Sequence, residues 1–377
     1  MPQKIAFLTT QYKEVKSGPG RFAEYLRQLH GEDLEFHFFS DQIVNDEKNE
    51  WSISFPSWLK KLPFSWLPRS FAFAKKVNQV DDFQHFDWIL ASDYAVGWAL
   101  AMQKPKARLA IMVNDDNFLL IYQAGEHQKG MSTGKRWARR VGYFFEKSAV
   151  KRADLVISNS LYTKSLVEKF YPVPAIRSQL LYKAVDLSYF NWKPRSVIPP
   201  RHFLFVKNDW RRGGLDLILS AFSKLSHQNE IQFTVAGISE QEKISVSVLI
   251  QQSGFQGNTT VLGLIKRTEL MELIDKADVF ISMSRQEALG VSCLEAMAAG
   301  LPVIATDAGG LKEVLDYGKA GYMVPVDDAG ALFQLLTSLE TEPELLQKKA
   351  AHARIHVGNF SVDNLDKNLK NSFRQAL

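Results

Sequence analysis

Two glutamates, Glu287 and Glu295, stand eight residues apart at the beginning of an apolar segment. Residues 279–284 are predicted to form a buried strand, residues 285–290 a polar turn, and residues 291–299 a helix. Backbone amides at a helix start can bind an anion such as phosphate, and carboxylates accept hydrogen bonds from hydroxyls. The pattern therefore predicts a phosphate site flanked by two carboxylates, one for a sugar and one for a ribose. That is the chemistry a nucleotide sugar requires.

The elements that must position these residues recur along the whole chain. Short β-rich runs alternate with helical segments, and several runs are apolar throughout, as strands buried on both faces must be. The runs cover residues 4–9, 34–40, 86–92, 108–113, 154–160, 202–206, 231–237, 259–263, 279–284, 302–306 and 321–325. This alternation predicts parallel sheets with right-handed crossovers. Ligands bind such sheets where a strand ends and the next helix begins.

Eleven strands fit two sheets of five or six better than one open sheet. Residues 191–200, NWKPRSVIPP, hold three prolines and no apolar period, which indicates an interdomain linker. A length of 377 residues is comfortable for two domains. We therefore predict one domain over residues 1–190 and another over residues 191–360. The polar segment 361–377 is predicted to be helical.

Composition narrows the class of protein. Cys293 is the single cysteine, so no internal disulfide can form. No apolar run approaches the roughly 20 residues of a membrane-spanning helix, and the N-terminal run is too short for a signal peptide. A cytoplasmic protein is expected, with peripheral contact at the inner face of a membrane as an option. Residues 1–200 hold 28 of the 46 Lys and Arg and 20 of the 41 Asp and Glu, a net charge of +8. The remainder carries −3, so the N-terminal half either meets an anionic partner or has uneven surface charge.

The block EALGVSCLEAMAAGLPVIAT, residues 287–306, resembles the Glu-x7-Glu signature of retaining glycosyltransferases of family 4, the glycosyl transferases group 1. The similarity continues through GGLKEV at 309–314 and GYMVP at 321–325. This resemblance implies an α/β protein of the GT-B fold, with two facing Rossmann-like domains and a deep interdomain cleft. The N-terminal domain would bind the acceptor and the C-terminal domain the nucleotide sugar. The helix at 361–377 would cross back onto the N-terminal domain.

The resemblance also implies roles for residues on the donor side. Glu287 would hold a hydroxyl of the transferred sugar, and Glu295 would anchor the ribose. In FLFVKNDWRRGG, Arg211 and Arg212 match the basic pair that grips the donor diphosphate. Arg212 replaces the usual lysine, and arginine can bind phosphate through two parallel hydrogen bonds. Lys207 stands where the family commonly has a glycine. The alternative to a diphosphate-binding turn is a basic hairpin at the protein surface.

The remaining donor-binding candidates lie at strand ends and helix starts. Glycine allows close backbone approach to a phosphate or a base, although each glycine could equally serve an ordinary turn. The candidates are Gly18 and Gly20 after the first strand, Gly237, Leu264 and Ile265 at a shelf for the base, and the amides of Leu289, Gly290 and Val291 at the diphosphate.

Asn114 follows the strand at 108–113, where the family often has a histidine near the transferred sugar. Asparagine can orient a hydroxyl but cannot take a proton at neutral pH. The catalytic candidates are therefore Glu287 and Arg212, with Asn114 open to substrate contact or a turn role. The neighbouring Asp115 and Asp116 form one acidic pair, which is weak evidence for a metal. We expect no metal and no cofactor, with the nucleotide sugar as co-substrate.

The acceptor side shows one unusual segment, residues 51–76, with the sequence WSISFPSWLKKLPFSWLPRSFAFAKK. Aromatic and basic residues alternate there, as at the interface of an anionic membrane. Packing against the N-terminal domain or forming an acceptor groove are the alternatives. A second basic stretch, residues 135–152, is attributed to a solvated helix face.

Together these features predict a retaining, hexosyltransferase-type enzyme of cell-envelope polysaccharide or glycoconjugate synthesis. Its donor would be a UDP-sugar or, as second choice, a GDP-sugar, and its acceptor a glycan, a lipid-linked molecule or another acceptor. The alternatives are a non-catalytic nucleotide-sugar-binding protein and a GT-B-like epimerase or phosphorylase. Nucleic acid is not an expected partner because no reader motif is present.

Overall fold

The computed structural model describes residues 2–10, 12, 18–29, 33–43, 45–56, 58–59, 64–114, 133–193 and 198–375. The chain divides into two compact units. The first comprises Met1–Lys183 with Leu365–Leu377, and the second comprises Ala184–Asn364. Each contains one parallel sheet with helices. The domain limits predicted from the sequence, at residues 190 and 360, stay predictions.

In the first unit, seven parallel strands are arranged in the order β3-β2-β1-β4-β5-β6-β7. The strands are β1 Gln3–Leu8, β2 Leu34–Ser40, β3 Glu50–Ser52, β4 Trp88–Ala91, β5 Arg108–Val113, β6 Leu155–Ser158 and β7 Ser178–Leu180. The helices are α1 Gly18–Gln28, α2 Trp66–Gln84, α3 Tyr94–Gln103, α4 Thr133–Arg152 and α5 Leu161–Phe170. The inner strands β4 and β6 are buried along their whole length, because helices cover both faces of such a sheet.

The second unit has six parallel strands in the order β10-β9-β8-β11-β12-β13. They are β8 His202–Val206, β9 Gln232–Ala236, β10 Asn258–Val261, β11 Val279–Ser282, β12 Val303–Thr306 and β13 Tyr322–Val324. The helices are α6 Leu215–Phe222, α7 Lys243–Gln252, α8 Arg267–Lys276, α9 Val291–Ala298, α10 Leu311–Val314, α11 Ala329–Thr341 and α12 Glu344–His356.

A last helix, α13 Val362–Gln375, follows, and its Phe373 ring packs 5.1 Å from Trp88 of the first unit's sheet.

All eleven strands predicted from apolar runs are present in the two sheets. The prediction missed β3 and β7, which have three residues each and lie at the two edges of the first sheet. Their residues are mostly half-buried and partly polar, so they leave no apolar run to recognise. No helix in the described part of the chain is long and apolar enough to cross a bilayer.

The strand order of the second sheet reverses between β8 and β11. From β8 the chain continues outward through β9 and β10, whereas from β11 it continues the other way through β12 and β13. The two central strands pair directly, with Val279 opposite Phe203 and Phe280 opposite Leu204. Such a reversal leaves a crevice at the carboxyl ends of the two strands, where open α/β sheets bind ligands.

Candidate active site

Two loops meet at this reversal, residues 207–214 after β8 and residues 283–290 after β11. Gly214 ends the first loop with φ 71° and begins α6. A Cβ on Gly214 would lie 2.0 Å from the main-chain oxygen of Met283, so only glycine allows the loops to approach this closely. The backbone amide of Arg285 also donates to the carbonyl of Arg212 at 2.8 Å. The two loops are therefore held together by backbone contacts.

Glu287 forms an ion pair with Lys207 across these loops. The two side chains are about one-fifth exposed, at 20% for Glu287 and 19% for Lys207. The carboxylate is thus accessible and faces a compensating cation. Sequence reasoning left Lys207 out of the site. Its position, directly after the strand beside the reversal, was the signal that could have included it.

Arg212 lies beside the same loop. Its Nε donates to the carbonyl of Gln286 at 3.1 Å, and its backbone amide donates to Asp209 Oδ1 at 3.0 Å. This guanidinium is therefore held next to the residue that precedes Glu287. The structure brings together Arg212 and Glu287, the two catalytic candidates of the second unit.

Arg211 is placed differently from its neighbour. Its Nη1 donates to Glu242 at 2.7 Å, and its guanidinium lies 3.9 Å from the ring centre of Trp210. Hydrogen bonds from Trp210 and then from Arg211 lower the pKa of the Glu242 carboxyl. The side chain of Arg211 is therefore directed to the loop after β9, whereas the side chain of Arg212 contacts the Glu287 loop.

Arg285 connects three loops and was not predicted as a site residue. Its guanidinium donates to both carboxylate oxygens of Asp216, at 2.9 and 2.7 Å, and to Asp327 at 2.7 Å. It also donates to the main-chain carbonyl of Arg211 at 2.6 Å. The hydrogen bonds to Asp216 are the largest cause of its raised pKa. Arg285 thus ties the loop after β8 to those after β11 and β13.

Gly290 caps the amino end of helix α9, and its φ is 98°. A Cβ on Gly290 would lie 2.5 Å from Leu311 Cδ2, and the Gly310 amide donates to the Glu287 carbonyl at 3.0 Å. The turn after β12 therefore packs directly on the loop that carries Glu287. Leu289 is buried, and Val291 is half-buried as the first residue of the helix.

Glu295 lies inside α9 and is 3% exposed. Its side chain interacts within the protein. Glu287 and Glu295 therefore differ in environment, since the first is accessible at the loop and the second is buried in the helix. The predicted ribose contact of Glu295 stays a prediction.

The three residues proposed for a base shelf lie next to the site. Gly237 follows β9 with φ 86°, and its amide donates to the Gly263 carbonyl at 2.9 Å. A Cβ on Gly237 would lie 3.3 Å from the carbonyl carbon of Lys207. Leu264 is 55% exposed and Ile265 is half-buried, and both directly follow Gly263, the residue that Gly237 contacts.

The remaining candidates belong to the first unit. Gly18 and Gly20 were expected in a turn, but α1 already begins at Gly18, so they occupy the first turn of the helix. Asn114 follows β5, and its Nδ2 donates to the Ser92 carbonyl at 2.8 Å. Asn159 Nδ2 donates in turn to the Asn114 carbonyl at 3.0 Å. Asn114 therefore joins the ends of β4, β5 and β6.

Asp115 and Asp116 lie outside the described residues. Across the parts of the chain that the structure does describe, His, Cys, Asp and Glu form no cluster of three suited to a metal ion.

Two units, each built on one parallel sheet with helices, have the architecture of the GT-B fold. Residues 20–189 match the family model described as Glycosyltransferase Family 4, and residues 190–356 match the model described as Glycosyl transferases group 1. The chain belongs to the group 1 glycosyltransferases.

Relatives support this membership. "Putative glycosyltransferase EpsD" of Bacillus subtilis (strain 168) is 36% identical, over 96% of this chain and 93% of that protein. For three other curated relatives, the similarity to this chain spans 42% to 63% of the relative's own length. One of these, the amylovoran biosynthesis glycosyltransferase AmsK of Erwinia amylovora, is 26% identical over 44% of this chain and 42% of its own.

Solved structures share the fold. Sucrose-phosphate synthase from Thermosynechococcus elongatus has a TM-score of 0.77 at 19% identity, covering 99% of this chain and 98% of its own. Anabaena HepE in complex with UDP-glucose has a TM-score of 0.72 at 17% identity, covering 98% and 99%. WaaG, a glycosyltransferase involved in lipopolysaccharide biosynthesis, has a TM-score of 0.70 at 17% identity, covering 97% and 98%.

Proposed function

We propose that this chain transfers a sugar from a UDP-sugar, or as second choice a GDP-sugar, to a glycan or lipid-linked acceptor. The observation that carries the proposal is the meeting of Glu287, Lys207 and Arg212 at the reversal of the second sheet. HepE was solved in complex with UDP-glucose, and WaaG is involved in lipopolysaccharide biosynthesis; these two structural neighbours favour a UDP-sugar donor and a cell-envelope product.

As the bond between the sugar and the diphosphate breaks, positive charge develops on the sugar ring and negative charge on the diphosphate. The departing diphosphate gains negative charge, and preorganised cations stabilise such charge most where water is limited. Arg212 and Lys207 supply those cations, together with amides at the start of α9. Glu287 accepts a hydrogen bond from a hydroxyl of the transferred sugar and so fixes the ring against the diphosphate.

The reaction is proposed to retain configuration. The bond between the anomeric carbon and the β-phosphate oxygen breaks, and the acceptor oxygen bonds to the same face of that carbon. The acceptor's proton passes to the departing phosphate oxygen. Glu287 acts by orientation and not as a nucleophile. This scheme uses no metal, so rates measured with and without a chelator are expected to agree.

A direct assay tests the proposal. The purified full chain is incubated with labelled UDP- and GDP-sugars, and release of the nucleoside diphosphate is measured with and without glycan acceptors. Glu287→Gln is expected to lose most turnover while the melting temperature stays within a few degrees. The matched control is Glu230→Gln in the same unit, since Glu230 also pairs with a cation, Arg201, at 2.9 Å. This pair lies at the amino ends of β9 and β8, away from the carboxyl ends where Glu287 lies.

Three results would contradict the proposal. Thermal stabilisation by a nucleotide sugar without any turnover would indicate a binding protein. Conversion of the donor into an isomeric nucleotide sugar would indicate an epimerase. Turnover of Glu287→Gln at the wild-type rate would refute the central assignment.

A further inference from the structure

One face of α4 exposes alternating aromatic and basic side chains. Trp137, Arg140, Phe144, Lys147 and Lys151 follow one another at steps of three and four residues, which places them on one stripe of the helix. Trp137 is 59% exposed and Phe144 is 68% exposed. Two large rings exposed in one stripe mark an interaction surface, whereas single exposed apolar residues are ordinary.

The helix is anchored by residues outside this stripe. Tyr143, Ala149 and Val150 are buried in the core of the first unit. The stripe is therefore an additional aromatic and basic surface that the fold does not need for its own packing.

The charge on α4 has one sign at its surface. Its one acidic residue, Glu146, is 3% exposed. The described basic side chains of the helix, all exposed or half-buried, are Arg136, Arg139, Arg140, Lys147, Lys151 and Arg152. A surface of this kind attracts an anionic partner and repels a cationic one.

The aromatic surface continues onto α2. The ring of Phe64, two residues before α2, lies edge-on to Trp137 at 5.5 Å. Phe71 of α2, which is 49% exposed, lies edge-on to Trp98 of α3 at 6.1 Å. Exposed Lys75 stands one helical turn beyond Phe71. The rings therefore extend across two helices of the same unit, with cations beside them.

We infer that this α4–α2 surface docks on an anionic lipid bilayer, with the rings among the headgroups and the cations on lipid phosphates. Aromatic rings favour the interfacial zone, and basic residues bind anionic lipid. A soluble polyanion would engage the cations but leave the rings in water. The combination of both therefore favours a lipid surface.

This inference changes which residues of segment 51–76 would touch a membrane. Trp51 stacks on Phe39 at 6.2 Å, and Trp66 packs against Phe145 at 4.8 Å, so these two tryptophans serve the core. Of the described aromatic residues in the segment, Trp58 is 64% exposed and Phe71 is 49% exposed. The surface depends mainly on α4, which contains the basic stretch 135–152 for which the sequence predicts a solvated helix face.

Sedimentation with vesicles tests the docking surface. The full chain is mixed with vesicles of phosphatidylcholine alone or of equal parts phosphatidylcholine and phosphatidylglycerol. We expect binding to the anionic vesicles at least about tenfold tighter, weakening as salt rises. The double variant Trp137→Ser, Phe144→Ser is expected to bind anionic vesicles about tenfold more weakly.

The matched control is the double variant Ile244→Ser, Ile355→Ser, which removes side chains 77% and 79% exposed in the second unit. It is expected to bind vesicles like the wild type, and melting temperatures report whether each variant is folded. Equal wild-type binding to neutral and anionic vesicles would overturn the inference. So would unchanged vesicle binding by the folded ring variant, or by the folded variant Arg136→Gln, Arg140→Gln, Lys147→Gln.

Discussion

Replacing Arg285 by glutamine removes the connection between the loops after β8, β11 and β13. The guanidinium makes three hydrogen bonds to carboxylates and one to the carbonyl of Arg211, at 2.6 to 2.9 Å. Glutamine is shorter and cannot span these acceptors. The loop that carries Arg212 would then keep its contact with the Glu287 loop only through its remaining hydrogen bonds.

The expected loss of stability is modest. The Arg285 side chain is 28% exposed, and its partners Asp216 and Asp327 are 40% and 53% exposed. Solvent-exposed ion pairs contribute up to about 1 kcal/mol each, so the variant should lose about 1–2 kcal/mol. For a unit of this size that corresponds to about 2–8 °C in melting temperature.

The expected loss of activity is larger. A displacement of about 1 Å at a reacting centre can reduce the rate about a hundredfold. Because Arg285 acts on the positions of Arg212 and Glu287, kcat/KM for the nucleotide sugar should fall about 10- to 100-fold. Donor KM should rise and kcat should fall together, because one loop positions the diphosphate and the other the sugar.

Arg201 supplies a matched control. It makes the same kind of paired contact, with Glu340 at 2.7 and 2.9 Å and Glu230 at 2.9 Å, and is 30% exposed. It precedes β8 at the opposite end of the strand. Arg201→Gln should therefore lose similar stability and retain kcat/KM. If both variants showed the same kcat/KM per folded molecule, the positioning role of Arg285 would be refuted.

Three further outcomes are expected. Arg212→Ala should lower kcat/KM about 30-fold or more, because about 2–4 kcal/mol of charge stabilisation is lost. Arg211→Ala should lower kcat/KM less. Equal losses of initial rate would contradict the different placement of the two arginine side chains. Gly214→Ala should lower the denaturation midpoint more than Gly254→Ala does. Both glycines have positive φ, 71° and 76°, but of the two only Gly214 lacks room for a Cβ. Similar midpoints for the two variants would exclude the close approach of Gly214 to the Met283 backbone. Burial raises the pKa of the Cys293 thiol from 9.0 to about 12, so the folded state should lose stability as pH rises from about 9 towards 12. Alkaline denaturation of Cys293→Ala should show a smaller loss of stability over this pH range than the wild type.

The sequence by itself determined the two-sheet α/β architecture. Strands such as β6 and β11 are short apolar runs buried along their length, and that pattern is visible without any coordinates. The polar, glycine-containing stretch 285–290 after an apolar run likewise predicted a turn followed by a helix over 291–299, and the structure has α9 at that place. These features are local, because burial pattern, glycine position and helix start depend on residues near one another in the chain.

Only the tertiary structure decided which loops are neighbours. Lys207 and Glu287 are 80 residues apart, and they meet because β8 pairs with β11 rather than with β10. The same pairing explains why Arg285 reaches Asp216 and why Arg211 and Arg212, adjacent in sequence, have different partners. Side-chain direction in a loop depends on strand order and on contacts across the sheet, and neither is encoded in the spacing of nearby residues.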